Sequence, residues 1–277
     1  MQSMEICQQL MKDALAAAGD GESDSAKAEV VLSEGKKQSV GVLGGKPQSY
    51  DAAASRGISL TVFIGLQQAS ASSEDFSPKA LKALAEETAE MARFTPENRD
   101  AFLAKPGQFI TDAQARAKAL NLADETAHNF SVTDLQNMAY TLEKGALSVE
   151  GATRCSAVDV KTNAGQVHIL TSEGFQASVP TTSFIVFLSV LAGEGDSQTS
   201  EGDMSIKRHF SDLPDLAKLG RETAEKAVAK VGAQPIKSGR MPILFDREVT
   251  ADLVDMFAGA ISGMAVDKGT TFLKDAM

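Results

Sequence analysis

The sequence predicts an α+β fold: helices packed on mixed, mainly antiparallel strands, in a helix–strands–helix series that occurs twice. Three observations predict it. Amphipathic segments of helical period alternate with short β-branched runs. Turn-forming residues between those runs favour hairpins over crossovers. Two helical segments, "ALKALAEETAEMA" from Ala80 and "DLAKLGRETAEKA" from Asp215, share Leu, Leu, Glu-Thr-Ala-Glu and Ala in register. Alanine-rich amphipathic helices also look alike by composition, so the internal near-repeat is an expectation for the structure to test. With 277 residues, 43% of them hydrophobic, the chain can bury one large core or two smaller ones.

The first helix is expected over Gln2 to Ala18, with Ile6, Leu10, Met11 and Leu15 on its apolar face and Gly19 at its end. Three strand-like runs follow, "AEVVLSEG", "QSVGVLGG" and "RGISLTVFIG", with Gly35, Gly44-Gly45, Pro47 and Gly57 as the turn-formers between them. "DFSPKALKALAEETAEMAR" is a strongly signalled helix. Ser77 is placed to cap it, Pro78 fits the first helical position, and Phe76 can staple onto Leu81. Its buried stripe is expected to be Leu81, Leu84, Thr88 and Met91.

Residues 95–111 hold Pro96, Pro106 and Gly107 in a stretch of mixed polarity, and are read as a linker between a first half (1–94) and a second (112–277). Phe130-Ser131-Val132-Thr133-Asp134-Leu135 then opens a helix with a capping box and a staple, running to about Val149. The strand runs "TRCSAVDVKTN", "GQVHILTSEG" and "FQASVPTTSFIVFLSVLAG" come next, then a polar loop "EGDSQTSEGD" and a helix from about Asp212 to Val231. A short helix, "ADLVDMFAGAISG", lies near the end. Long runs such as Phe175 to Ala192 either build the core or offer a sheet edge to an extended peptide.

Several function classes are disfavoured. A net charge of −10 without a Lys/Arg block argues against nucleic acid or an anionic membrane surface as partner. The longest apolar run, from Phe184, is about half a membrane span. The two cysteines, Cys7 and Cys155, are far apart and form no CxxC, which fits a reducing compartment. The N-terminus lacks the basic-then-apolar pattern of a signal peptide. "GVLGGKPQS" fails as a phosphate loop, because Val40 stands where glycine is needed and Pro47 where Ser or Thr is. The three histidines, His128, His168 and His209, show no metal-ligand spacing and are read as structural or surface residues. No nucleophile-elbow motif is present, although a triad assembled in space leaves no such mark.

Six stretches in order carry a family resemblance: "AEVVLSEGKKQSVGV", "SRGISLTVFIG…ASASSEDFSPKALKALAEETAEMAR", "LEKGALSVEGATRCSAVDV", "LTSEGFQAS", "LAKLGRETAEKAVAKVGAQPIKSGRMPILFDREVTADLV" and "KGTTFLKD". Together they resemble the TldD/PmbA family, more closely its PmbA (TldE) branch. The resemblance implies a cytoplasmic subunit that pairs with a TldD-like partner, with a homodimer as the other pairing. Such pairs form a metallopeptidase that trims unfolded peptides, including a microcin leader and a plasmid antitoxin. It also implies an alternative, a non-proteolytic modulator of the DNA-gyrase-modulator type.

The TldD branch carries H-E-x-x-x-H on a helix. Aligned by the "KG-T" that follows, its two His positions fall on Val254 and Gly259, and its Glu position on Asp255. Val and Gly cannot ligate a metal, so the resemblance implies no catalytic residue and no metal or cofactor in this chain. Metal is expected only on the TldD-like partner, and Asp255 reads as a solvated carboxylate or a partner contact. The family extends well beyond "TFLKD", so its β-rich C-terminal domain is expected to lie outside this chain.

Overall fold

The computed structural model describes residues 3–19, 26–110 and 112–275. Gln2 and Thr111, which bound two of the expected segments, lie outside the described residues. Two compact units divide the chain, Met1–Gly232 and Ala233–Met277. Residues 95–110 therefore lie inside the first unit.

The first unit is built on one six-stranded sheet of order β3-β2-β1-β4-β5-β6, every pairing antiparallel. The strands are β1 (Ala26–Leu43), β2 (Lys46–Ile64), β3 (Gln67–Ser73), β4 (Ala152–Thr171), β5 (Gln176–Ala192) and β6 (Thr199–Lys207). The helices are α1 (Ser3–Ala18), α2 (Pro78–Phe94), α3 (Ala113–Ala119), α4 (Val132–Leu147) and α5 (Leu216–Ala229), and α6 (Arg247–Ala260) and α7 (Gly263–Asp267) belong to the second unit. The series α1-β1-β2-β3-α2 and α4-β4-β5-β6-α5 repeat, and they meet where β1 pairs with β4.

Buried strand residues alternate along one face, which α1, α2, α4 and α5 cover. α1 and α2 pack on Ala28, Val30, Leu32, Ile58, Leu60 and Val62. α4 and α5 pack on Val40, Val42, Val158, Val160, Val186 and Leu188. Each such Leu or Ile, fully withdrawn from water, contributes on the order of 1.5–3 kcal/mol. In the repeated helices Thr88 and Thr223 are both fully buried, and each donates to the carbonyl four residues back, Leu84 at 2.6 Å and Leu219 at 2.9 Å. Equivalent positions with the same unusual interior hydroxyl bond make the near-repeat structural as well as compositional.

The structure corrects the strand expectations at the glycines and at one polar stretch. Gly35 and Gly57 do not turn the chain but lie within β1 and β2, so three expected runs form two long strands. Gly165 likewise lies inside β4. Gly35 and Gly165 face each other in register, and a Cβ at Gly165 would stand 2.3 Å from the Glu34 carbonyl oxygen. These glycines serve close backbone approach at the seam between the two repeats. The polar stretch read as a loop, "EGDSQTSEGD", supplies much of β6, and "QQASASS", for which no strand was expected, forms β3, because pairing to a long neighbour outweighs weak strand propensity. β5 is internal from Phe184 to Ala192, between β4 and β6, which is the core-building alternative. Residues 176–183 pair only with β4, and 46–57 of β2 only with β1, so these stretches share the sheet edges with β3 and β6.

The true turn of the first hairpin is Gly44-Gly45, with φ of +60° and +69°, a conformation that side-chain-bearing residues resist. Glu143 of α4, 4% exposed, accepts from both turn N–H groups, at 2.6 Å and 2.8 Å. Among the helices, Ser77 caps α2 and Ser131 with Asp134 forms the capping box of α4. Met91 is exposed, whereas Ala85, Ala89 and Ala92 complete the buried side of α2.

Candidate functional site

The second unit holds the residues singled out by the family resemblance. Asp246 caps α6, accepting from the Val249 N–H at 2.9 Å, and the helix continues through Val254, Asp255 and Gly259. All three are exposed, and α6 has no buried residue. Val249, Leu253, Met256 and Phe257 form a bare apolar stripe along it. Among the described residues, no three His, Cys, Asp or Glu side chains gather in a group that could hold a metal ion.

The first unit holds a polar row that the sequence did not suggest. In antiparallel sheets, side chains opposite each other on one face are close neighbours. The register sets His168 opposite Ser178 and opposite Leu32, and sets Glu34 opposite Arg56. All lie on the helix-bearing face, between the two apolar clusters. His168 Nδ1 is 2.7 Å from the Ser178 hydroxyl, and His168 Nε2 is 3.1 Å from Glu34 Oε1. Ser3, in the first turn of α1, donates to Glu34 Oε1 at 2.8 Å. Arg56 pairs with Glu34 Oε2 at 3.1 Å, donates to Ser3, and stacks on the Phe76 ring at 4.4 Å.

The chemistry of the row sets the direction of its hydrogen bonds at Glu34. Burial pushes the Glu34 carboxyl up, but hydrogen bonds from Ser3 and His168 and the Arg56 charge outweigh it, holding the group below its usual range. An ionised carboxylate only accepts, so Nε2 of His168 carries a proton and donates to it. With a single proton, held on Nε2, the ring leaves Nδ1 to accept from the Ser178 O–H. His168 itself is 7% exposed.

Ser178 opens onto a cavity of about 540 Å³. Gln166, Pro180 and Thr182 share its strand floor, and α3, residues 121–125 and His128 form the cover. The cover is tied down at several points. The Asp124 N–H donates to Thr182 at 2.8 Å, the Phe210 N–H donates to Asp124, and Arg208 donates to the Leu122 carbonyl. His209 bonds the Asn121 carbonyl at 2.7 Å. The rings of Phe130, Phe184 and Phe210 stack mutually, with centroids 4.9–5.8 Å apart, and anchor the flanking segments on β5.

The structure thus gives each histidine a place in this region. His168 is in the row, His128 lines the cavity, and His209 ties its cover. Sequence reasoning assigned all three to structure or surface and missed Ser178 and Glu34 altogether. The only available signal was His168 alternating with Val167 and Ile169 on a strand; its partners lie 10 and 134 residues away.

Compared with known proteins, residues 28–92 match the family model described as PmbA/TldA metallopeptidase domain 1. Residues 125–231 match the central domain of that family, and residues 238–277 its C-terminal domain. The chain is 24% identical to the metalloprotease PmbA of Escherichia coli O157:H7, over 99% of this chain and 60% of that protein. It is 24% identical to a metalloprotease PmbA homolog of Haemophilus influenzae, over 79% of this chain and 47% of that protein. The chain spans about half the length of the curated relatives it matches.

Among solved structures, a candidate modulator of DNA gyrase from Bacteroides thetaiotaomicron superposes with a TM-score of 0.83 at 19% identity, covering 98% of this chain and 59% of that one. TldE from Thermococcus kodakarensis superposes with a TM-score of 0.59 at 14% identity, covering 81% and 46%. At these identities the likeness is one of fold.

Proposed function

The chain belongs to the PmbA/TldD metallopeptidase family, and from that premise we propose that it is a PmbA (TldE)-type subunit that brings no metal site of its own. Its role is to pair with a TldD-like subunit and guide unfolded peptide to the metal that the partner holds. The observation that carries this reading is α6, which presents Val254, Asp255 and Gly259 at the positions onto which the resemblance sets the His, Glu and His of the metal-bearing branch. A general base works on a metal-bound water only beside the metal, and neither valine nor glycine offers a donor to keep one there.

The test is reconstitution with a TldD-like subunit. Peptide cleavage by the pair is expected to survive Asp255→Asn within a few-fold, and this chain purified alone is expected to bind no stoichiometric zinc. A loss of about 100-fold or more, with pairing intact, is what removing a working general base produces, and it would overturn the reading. One tightly held metal per chain in elemental analysis would do the same. If the pair forms and binds peptide but never cleaves it, the non-proteolytic modulator role takes its place.

A further inference from the structure

We propose that Ser178, His168 and Glu34 form a serine nucleophile site that takes a small carboxylic ester in the cavity beside it. This site is independent of the subunit role argued from α6 and of any partner subunit.

The arrangement has the parts that nucleophilic catalysis by serine requires: a hydroxyl within hydrogen-bond reach of an imidazole, and that imidazole oriented by a carboxylate. Here the two distances are 2.7 Å and 3.1 Å. The ring presents Nδ1 to the serine and Nε2 to the glutamate, the reverse of the commoner arrangement. Both nitrogens are chemically competent, so the relay is the same. Chain order is no guide, because such triads are recognised by geometry.

A purely structural polar row would also pair these groups, but it would not need to end on a cavity. This one does: Ser178 lines a space of about 540 Å³, within the ordinary range for small-ligand pockets. Glu34 is itself held from three sides, by Ser3, Arg56 and His168, which leaves it as a fixed negative charge facing the ring. That is where a developing imidazolium needs compensation. Gln166, two residues before His168 on the same face of β4, brings an amide donor to the same cavity. The lining adds Thr182, Pro180 and Ala117 near the strand floor, with Lys118, Asp124 and Glu125 on the cover, a polar space suited to a compact ester.

In the reaction, the Ser178 O–H proton passes to Nδ1 as Oγ bonds to the ester carbonyl carbon, and the C=O π pair moves onto oxygen. The tetrahedral adduct collapses, the C–O bond to the alcohol breaks, and the alkoxide takes the proton back from Nδ1. This leaves an acyl ester on Ser178 and a free alcohol. A water then adds by the same steps, releasing the carboxylic acid and restoring the serine.

The purified chain, incubated with a fluorophosphonate probe, is expected to gain one covalent adduct, mapped by peptide mass spectrometry to Ser178. It should also release p-nitrophenol from p-nitrophenyl acetate with a burst, unaffected by chelators and without a TldD-like subunit. Ser178→Ala should abolish both signals. His168→Gln keeps a partner for the hydroxyl but cannot take its proton, and should lower the labelling rate on the order of 10²–10⁴-fold. The proposal is overturned if the folded wild-type chain gains no adduct at Ser178, or if ester turnover persists unchanged in Ser178→Ala. The wild-type measurement decides even if a variant fails to fold. Neither result touches the subunit reading, whose test uses the partner and α6.

Discussion

At the scale of single residues, Glu34 ties the fold to pH. Its folded pKa lies below the ordinary 4.5, so its contribution to stability is fully present above 4.5 and is lost as pH falls through the lower folded value. Glu34→Gln is therefore expected to lower the urea midpoint at neutral pH and to flatten the fall in stability on acidification below 4.5. An acid limb identical to that of the parent chain would refute this. The two cysteines make the opposite case. Burial pushes both thiols up, to about 11, with neighbouring Arg56 pulling against it at Cys7 and Glu143 adding to it at Cys155. A thiol attacks only as thiolate. Ellman's reagent should thus find neither cysteine in the folded chain and both after unfolding in urea.

At the scale of elements, α2 shows how a local signal and a tertiary one share a helix. Ser77 accepts from the Ala80 N–H at 3.3 Å and starts the helix. Removing that acceptor in Ser77→Ala should cost about 1 kcal/mol. Leu84 faces the core, and Leu84→Ala should cost more, about 2–5 kcal/mol, since it leaves a cavity among α1 and the strands. Urea melts that rank the two variants the other way would place the buried face elsewhere. The stripe itself was legible only in part. Leu81, Leu84 and Thr88 follow helical period in the sequence, but Met91 is 44% exposed while Ala92 is fully buried. Hydrophobicity alone favours methionine for the core. The close approach of α1 and α2 favours alanine there, and the Arg93 guanidinium then reaches the last α1 carbonyls, Ala17 and Ala18.

At the scale of the whole molecule, the seam between the repeats is the decisive joint. β1 and β4 bring their backbones together at Gly35 and Gly165, and the sheet becomes one body there. Gly165→Ala would push a methyl to 2.3 Å from the Glu34 carbonyl oxygen. Such overpacking should cost about 1–3 kcal/mol, and it should disturb the adjoining row at Glu34. Gly57→Ala is the control. It lies within β2 with no atom within 4 Å of an added Cβ, and should be neutral or stabilising by up to about 1 kcal/mol. Equal thermal shifts for the two variants would remove the seam from its central place.

The sequence by itself determined the α+β class, the caps of α2 and α4, the twofold helix–strands–helix series and the family. Each rests on short-range patterns: helical period, capping residues a few positions apart, and motifs read in order. Only the tertiary structure decided where the strands run, because Gly35 and Gly165 are turn residues by local preference and close-approach residues by their partner 130 positions away. It also decided that Glu143 clamps the Gly44-Gly45 turn, a pairing separated by 98–99 residues. The row of Ser178, His168, Glu34 and Arg56 is a product of register alone. Four strands must pair in one alignment before those side chains meet, and no local pattern along the chain encodes that alignment.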